Sequence, residues 1–458
     1  MRLSLKEERY LKFKIGEEME NFRRKSFWLE TAGKFEPQPE LKGTVKADIA
    51  IIGGGFTGLS TAYHLKKLEP SIDVAIVEDQ ICGYGASGRN AGFGMTLFGL
   101  TFSLTAIRFG KEKAVQAHHY METAVDYLSE FITSNKIDCD YERPGFLRVA
   151  TSKAYVKRIQ HEINLMRSLG ISGIEWISQE QVRKEVNSPL YLGAWWEPRC
   201  VLLNPAKLAW GIRKLNLDLG VKIFEYSPVN EVNRHKTHFT IKTNNGILTA
   251  EKVLFATNAF SHLFPQLRRK QVPAFTYIVL TEPLDEKFFN EVGWKNRQGI
   301  EDARNLVHYY RLTKDDRLLM GGGDVGVGFG RKMSYDENER IFDELKNYVK
   351  KVFPVLKDVR FTHQWGGPVS VPIDMAPAIG KIGNNKAYYS LGCVGHGVSL
   401  TILNGKLLAE LLLERKSELT EIFFVNRKII PWPPEPIRFG ISHLIRGYMR
   451  LEDKMLDR

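Results

Sequence analysis

The segment 47–92 constrains the fold more than any other part of the chain, because it places a glycine motif between two buried strands. Its first apolar run, at 49–52, is typical of a strand that is buried on both faces of a parallel sheet. Strand, glycine turn, helix, second strand and acidic residue, in that order, predict a dinucleotide-binding βαβ unit. In chain order, the unit comprises the run 49–52, Gly53, Gly55, Gly58, a helical pattern over 59–68, a second apolar run at 74–77, and Glu78.

Each residue of this motif has a physical reason. Gly53 permits the tight turn, Gly55 lets the backbone approach a pyrophosphate, and Gly58 lets the helix lie close to the strand. The free N–H groups and the positive end of the helix dipole are expected to hold the phosphates. Glu78 would accept hydrogen bonds from a ribose diol. A tight turn with no ligand is the alternative interpretation of the glycines alone.

A second loop of small residues, at 83–92, follows the second strand and carries one cation, Arg89. A nicotinamide enzyme has no evident use for a second cradle at this place. FAD is longer at its flavin end, so a loop here could reach the pyrophosphate, the ribityl chain and the edge of the isoalloxazine. The loop therefore favours FAD over NAD.

The sequence ASGRN at 86–90, followed by small residues, resembles the D-amino-acid oxidase superfamily of FAD enzymes, in its γ-glutamylputrescine oxidoreductase-like branch. The resemblance covers nearly the whole chain. It implies an α/β fold, in which a doubly wound, Rossmann-like FAD-binding domain is interleaved with a substrate domain built on a mixed or antiparallel sheet. It also implies an FAD-dependent amine or amino-acid oxidase or dehydrogenase.

Two later motifs strengthen the resemblance. The segment ATNAF at 256–260 matches a family element beside the flavin, although by itself it could be a strand followed by a capped helix. The turn GCVGHG at 392–397 precedes a predicted helix over 399–413, and in the family it lies against the flavin. A helix N-terminus there would stabilise the negative charge of the reduced flavin, and His396 could add to that effect.

A third family element, Tyr309-Tyr310-Arg311, lies near the substrate pocket in relatives. Its side chains could orient a carboxylate or an amide, or they could simply alternate across a strand. The glycine-rich segment 321–330 is expected to form a loop over the pocket. The predicted catalytic residues are His396, Tyr310 and Arg311.

The predicted cofactor contacts come from the two glycine loops, the turn before the last helix and two further family elements. They are Gly53, Gly55, Phe56, Thr57, Gly58, Glu78, Gly85, Ser87, Arg89, Asn90, Ala91, Val229, Thr257, Asn258, Gly395, His396, Gly397 and Val398.

FAD is expected to bind without a covalent link. Some relatives attach it through a cysteine seven residues before the aspartate that matches Asp374, where this chain has Gly367. Others use a histidine in the loop after the second strand, where this chain has Arg89. The four cysteines are scattered singly, so neither a metal site nor a disulfide framework is predicted.

The composition is that of a globular protein, with 43% hydrophobic and 26% charged residues. No apolar run reaches the roughly 18–20 residues of a membrane span, and the charged N-terminus has no signal-peptide core, so a cytoplasmic location is expected. The net charge of +12 is spread along the chain, which favours a solvated basic surface and no nucleic-acid partner.

The predicted boundaries interleave two domains. Residues 1–46 form a helix and an arm that packs near the catalytic face or clasps the surface. The FAD-binding domain takes 47–135, 200–262 and 361–415, and the substrate domain takes 136–199 and 263–360. The tail, 416–458, carries an amphipathic helix from 437, which packs on the body or makes weak contact with a membrane surface.

Three functions are compatible with the sequence. The favoured one is oxidation of the C–N bond of a small amine or amino acid, with hydride transfer to flavin N5, hydrolysis of the imine, and reoxidation by O₂ or another acceptor. The second is a membrane-associated FAD dehydrogenase that passes electrons to quinone. The third is a non-catalytic or RNA-associated flavoprotein, which only the net charge supports.

Overall fold

A computed structural model of the chain describes residues 22–383 and 386–457. The part of the predicted N-terminal helix before Phe22 lies outside these residues. The helices are α1 (Phe27–Thr31), α2 (Phe56–Leu68), α3 (Phe102–Phe109), α4 (Lys111–Ser134), α5 (Lys153–Ser168), α6 (Gln179–Glu185), α7 (Pro205–Asp218), α8 (Glu286–Val292), α9 (Glu339–Val352), α10 (Gly397–Leu412) and α11 (Ile437–Leu456).

The strands form two large sheets and one small one. They are β1 (Gly43–Ile52), β2 (Val74–Val77), β3 (Phe93–Met95), β4 (Phe146–Val149), β5 (Glu175–Ser178), β6 (Gly193–Glu197), β7 (Cys200–Leu202), β8 (Lys222–Phe224), β9 (Glu231–Arg234), β10 (Phe239–Lys242), β11 (Gly246–Phe255), β12 (Val272–Pro283), β13 (Gly299–Asp302), β14 (His308–Leu312), β15 (Arg317–Val327), β16 (Phe361–Val371), β17 (Ala378–Lys381) and β18 (Ala387–Leu391).

The first large sheet has the order β17-β18-β11-β1-β2-β8, with β10 and β9 joined to β11. Its central pairs, including β1 with β2 and with β11, are parallel. The last four residues of β1 and all of β2 are buried, because helices cover both faces of such a sheet. The predicted strands and the predicted Rossmann-like sheet are confirmed.

Helix α2 packs closely on α10 beside this sheet. A Cβ atom on Gly405 would lie 2.2 Å from the Ser60 hydroxyl, so only glycine fits at this crossing. The Ser60 hydroxyl donates to the carbonyl of Ile402 at 2.7 Å. The contact fixes α10, and therefore the turn that precedes it, relative to the glycine motif before α2.

The second large sheet has the order β16-β12-β15-β14-β13-β4-β6-β5 and is antiparallel except between β13 and β4. Its apolar face packs against α9, whose buried residues include Ile341, Phe342 and Leu345. This is the predicted mixed sheet.

The structure corrects two details of the predicted organisation. Residues 361–371, assigned to the FAD-binding domain, form β16 and pair with β12 of the second sheet. The segment 321–330, expected to be a loop, continues β15 as far as Val327. The other domain boundaries stay predictions.

The tail helix α11 packs on the body, but with its polar face inward. Arg446 donates to the buried Asp324 through Nε at 2.6 Å, and Asp453 accepts the backbone N–H groups of Asn305 and Leu306 at 2.8 and 2.9 Å. Apolar side chains such as Leu444, which is 74% exposed, face solvent instead. Ion pairs and hydrogen bonds, not apolar burial, determine which face is covered.

Candidate active site

The glycine motif shapes the C-terminal edge of the first sheet by close packing. Gly53 has φ +109°, and a Cβ atom there would lie 2.7 Å from the carbonyl oxygen of Ala256. A Cβ atom on Gly58 would lie 2.0 Å from the carbonyl oxygen of Gly53. Gly58 therefore brings helix and strand together, as predicted, and does not itself line the adjoining cavity.

Gly55 is the N-cap of α2 and offers no side-chain hydrogen bond to the first turn. The backbone N–H of Phe56 donates to the Ser87 hydroxyl at 2.9 Å, so the second loop contacts the helix start directly. Within the described part of the chain, the other first-turn N–H groups have no side-chain cap, and their dipoles favour an anion. This edge of the cavity can therefore hold a pyrophosphate.

Glu78 follows β2 and lines the same cavity. Its carboxylate accepts the backbone N–H groups of Gly54 at 2.7 Å and Gln80 at 3.1 Å. Burial raises the pKa of Glu78 to about 7, although those two hydrogen bonds lower it. The hydrogen bonds fix the carboxylate where it can accept from a diol.

The second loop, 83–92, holds its shape through its own polar groups. The Asn90 amide N–H donates to the carbonyl of Ala86 at 2.9 Å, and its oxygen accepts the N–H of Gly92 at 2.7 Å. The buried Arg89 donates to the carbonyl of Tyr84 at 2.9 Å and pairs with Asp336 at 3.4 Å. These contacts preorganise the loop against the cavity.

The N-terminal arm supports this loop from behind. The Ser26 hydroxyl donates to the carbonyl of Gly88 at 2.7 Å, and the buried Trp28 indole N–H donates to the carbonyl of Asn90 at 2.8 Å. The arm therefore packs near the catalytic face, which was one of its two predicted positions.

His396 is the N-cap of α10 and lines the same cavity as the glycine motif. Its Nδ1 atom is buried and has no hydrogen-bond partner within residues 22–383 and 386–457. Burial lowers the pKa of His396 to about 4, so the imidazole is neutral at pH 7 and can contribute a hydrogen bond but not a full charge. An adjacent polar ligand would supply the missing partner.

All these features border one cavity of about 1660 Å³, lined by residues of both large sheets. A single drug-sized ligand occupies roughly 300–1,000 Å³, so the cavity has room for a dinucleotide and a second small molecule. The glycine cradle, the Glu78 carboxylate and the unpartnered His396 nitrogen fit the phosphate, ribose and flavin parts of FAD.

Comparison with known proteins agrees with this geometry. Residues 48–411 match the family model described as FAD dependent oxidoreductase. The chain belongs to this family. It is 31% identical over 433 residues to gamma-glutamylputrescine oxidoreductase of Escherichia coli (strain K12), covering 94% of this chain and 98% of the relative.

More distant relatives share the fold of this flavoenzyme. Glycine oxidase of Bacillus licheniformis is 24% identical over 396 residues, covering 83% of this chain and 97% of the relative. The crystal structure of glycine oxidase from Geobacillus kaustophilus superposes with a TM-score of 0.69 at 19% identity, covering 84% of this chain and all of that one. The chain is an FAD-dependent oxidoreductase with the predicted two-part fold.

Every predicted cofactor contact in the flavoenzyme except Gly58 lines the cavity. Their individual contacts with FAD stay predictions. Within the described residues, no three His, Cys, Asp or Glu side chains are placed to hold a metal ion.

Two of the three predicted catalytic residues do not face the cavity. Tyr310 is buried in the core of the second sheet, where its hydroxyl lies 2.7 Å from that of Tyr191. Arg311 is also buried and donates to the carbonyl of Leu203 at 2.9 Å, beneath the second loop. The prediction that both contact substrate is therefore corrected: Tyr309 lines the cavity, and Arg311 supports the loop.

Sequence reasoning missed a charged group in the cavity wall, formed by Arg148, Glu162 and Glu301. Arg148 lies on β4 and donates through Nη1 to Glu162 on α5 at 3.3 Å. Its Nε lies 3.5 Å from a carboxylate oxygen of Glu301 on β13. The available sequence signals were one charged residue in the short strand FLRV and two adjacent charged residues in the short strand GIED.

Proposed function

We propose that the flavoenzyme oxidises the C–N bond of a small amine or amino acid. The observation that carries the proposal is the continuity of the cavity from the glycine cradle to the charged wall, because one space then accommodates a cofactor and a polar substrate together. The relatives named for γ-glutamylputrescine and glycine support the substrate class.

The chemistry assigns distinct tasks to the chain. FAD, when bound, would supply the acceptor for a hydride from the carbon that bears the nitrogen. The protein would hold the pyrophosphate at the start of α2, the ribose at Glu78 and the negative charge of reduction near α10 and His396. The resulting imine reacts with water to give a carbonyl compound and an amine. The substrate nitrogen must enter this reaction without its extra proton, because a protonated amine has no lone pair to form the C=N bond.

The direct test is turnover of a panel of amines and amino acids by the FAD-loaded protein. We expect one class to give a carbonyl product in stoichiometric amount with reduction of O₂ or of an artificial acceptor dye. The matched control is an amine without a hydrogen on the carbon beside nitrogen, such as tert-butylamine, which cannot form the imine. Failure of every amine and amino acid to give a carbonyl product would contradict the proposal.

The electron acceptor distinguishes this proposal from the alternative of a membrane-associated FAD dehydrogenase that passes electrons to quinone. The exposed apolar side chains of α11, among them Leu444 and Tyr448, are the observation that favours membrane contact. None of the helices in residues 22–383 and 386–457 is long and apolar enough to cross a bilayer. The cations Arg438 and Arg446 on this helix are paired with Glu435 and Asp324, so they do not favour an anionic lipid surface.

Co-sedimentation with anionic liposomes tests the alternative. We expect the full chain to stay in the supernatant at physiological salt, and quinone not to exceed O₂ as acceptor. Sedimentation that is lost in a Leu444→Glu variant would instead support membrane contact. The cytoplasmic location and the absence of a nucleic-acid partner stay predictions.

A further inference from the structure

Arg148, Glu301 and Tyr309 form a row across the second sheet. Glu301 on β13 is in register with Arg148 on β4 and with Tyr309 on β14. Side chains in register lie on the same face of a sheet, and all three line the cavity. Glu162 reaches the row from α5. The row and Glu162 together present one cation and two carboxylates to the same space.

The carboxylates of Glu162 and Glu301 differ in the number of hydrogen bonds that they accept. Glu162 accepts the backbone N–H groups of Phe102 and Ser103, at 2.8 and 3.3 Å, and also the Arg148 guanidinium. The side chain of Glu301 is only 4% exposed, and its one close polar contact in the described part of the chain is Arg148 Nε at 3.5 Å. That nitrogen has no hydrogen-bond partner either. Glu301 is thus a buried carboxylate that lacks a donor and borders the cavity.

The charge of the group favours a cationic ligand. With both carboxylates ionised, Arg148 neutralises only one of them, so the group of Arg148, Glu162 and Glu301 carries a net negative charge. A buried carboxylate without a hydrogen-bond donor is unfavourable, and an ammonium group would supply both a donor and the opposite charge. A substrate carboxylate would meet two like charges beside Arg148.

We propose that Glu301, which lies beside Arg148 and Glu162, binds the protonated amino group of the substrate and accepts its proton. This inference rests on the proposed function and names the group that prepares the amine for oxidation. An N–H bond of the ammonium breaks, an O–H bond forms on Glu301, and the nitrogen lone pair becomes available. No electrons leave the substrate in this step. The substrate class is therefore an amine that enters as a cation.

The proton affinity of Glu301 suits this role. Burial raises the pKa of Glu301; Arg148 lowers it and the nearby Asp302 and Glu162 raise it, so that the resulting pKa is about 7. Tyr309 and Cys200 also lie near Glu301, and both hold their protons at pH 7, because burial raises the pKa of Tyr309 to about 12 and that of Cys200 well above its usual value. Glu197 borders a smaller cavity together with Glu301, and burial raises its pKa to about 7 as well. A carboxylate with this pKa is ionised above neutral pH and can take a proton from a partly desolvated amine.

The test is equilibrium binding of two probes that have the same shape and opposite charge, tert-butylammonium and pivalate, measured by calorimetry on the FAD-loaded protein. Neither probe can be oxidised to an imine, so binding is read without turnover. We expect tert-butylammonium to bind at least tenfold more tightly than pivalate at pH 8. Glu301→Gln should remove that preference.

The pH dependence of binding gives a second measurement. Alkylammonium groups titrate near pH 10, so the probe keeps its charge between about pH 6 and pH 8. Glu301 takes up a proton as the pH falls through about 7, so the Kd for tert-butylammonium should rise about tenfold from pH 8 to pH 6. In Glu301→Gln, the Kd should not change with pH.

Glu197→Gln is the matched control. Glu197 is also buried, with a pKa raised to about 7 by burial, but the Thr96 hydroxyl donates to it and it does not line the large cavity. This variant should bind both probes as the natural protein does. Equal affinity of the natural protein and Glu301→Gln for tert-butylammonium would overturn the inference, as would tighter binding of pivalate that depends on Arg148.

The outcomes separate this inference from the proposed function. Amine oxidation with unchanged probe binding in Glu301→Gln would remove the role of Glu301 and leave the function standing. Probe binding at Glu301 without oxidation of any amine would leave the cation site and remove the function.

Discussion

Replacement of Gly55 by alanine should weaken the binding of FAD phosphates without destabilising the fold. Gly55 has φ −82° and ψ −176°, which is extended backbone that alanine adopts without strain. The new Cβ atom would lie 3.0 Å from the Ser87 hydroxyl, which must move by a few tenths of an ångström. The methyl group adds volume at a lining residue of the cavity, where overpacking costs about 1–3 kcal/mol.

The expected result is FAD binding that is about 5- to 150-fold weaker, since about 1.4 kcal/mol corresponds to tenfold in Kd. The assay is titration of the apoprotein with FAD, followed by quenching of flavin fluorescence, together with thermal unfolding of the apoprotein. We expect the midpoint of unfolding to change little. An unchanged Kd for FAD in Gly55→Ala would refute the assignment of this edge to the pyrophosphate.

Gly440→Ala is the matched control for this experiment. Gly440 lies on α11, and a Cβ atom there would meet no atom within 4 Å. Alanine is favoured over glycine inside a helix by about 1 kcal/mol. The control should therefore raise the free energy of unfolding by up to that amount and leave FAD affinity unchanged.

Three further predictions concern the flavin and the tail. Acid precipitation should release all flavin into the supernatant. Cys393 is the one cysteine that lines the cavity, and burial raises its pKa to about 12, so the thiol stays protonated and does not form a bond to flavin. Flavin left on the precipitated chain would contradict this. His396→Ala should make the two-electron flavin potential more negative by about 30–60 mV, the equivalent of one hydrogen bond to a charged group, in spectroelectrochemistry; an unchanged potential would contradict it. Asp324→Asn should lower the melting temperature by several degrees by removing the partner of Arg446, whereas Asp343→Asn, at an exposed position, should not; equal melting temperatures would contradict it.

The sequence predicted the FAD-binding half well because its signals are local. The run at 49–52, the three motif glycines and Glu78 lie within one βαβ unit, and each has a reason that needs no distant contact. The turn before α10 was also found, since a glycine turn between a strand and a helix is a local pattern.

The residues on the substrate side of the site could not be predicted from the local sequence pattern, because their placement depends on how the strands pair. In Tyr309-Tyr310-Arg311 the alternation of a strand was clear, but which face points to the cavity depends on pairing with β13 and β15. Arg148 and Glu301 are 153 positions apart in the chain, and only the parallel pairing of β4 with β13 brings them together.

In the tail helix α11, tertiary contacts decide which face is buried, against the amphipathic pattern of the sequence. Its apolar residues repeat on one side of α11, a pattern that ordinarily marks the buried face. The buried Asp324 instead accepts hydrogen bonds from Arg340 and Arg446. An unpaired carboxylate at this place would be more unfavourable than the exposure of a few apolar side chains, so the polar face is the one that packs.

The most direct test of the central claim is an anaerobic titration of the FAD-loaded protein with amines and amino acids, followed by visible flavin absorbance. If one cavity holds the flavin and admits an amine to it, one class of these compounds will bleach the flavin without any added acceptor. Carbonyl product should form in equal amount to reduced flavin. A flavin that stays oxidised with every compound of the panel, in a protein that is folded and fully loaded, would contradict the account.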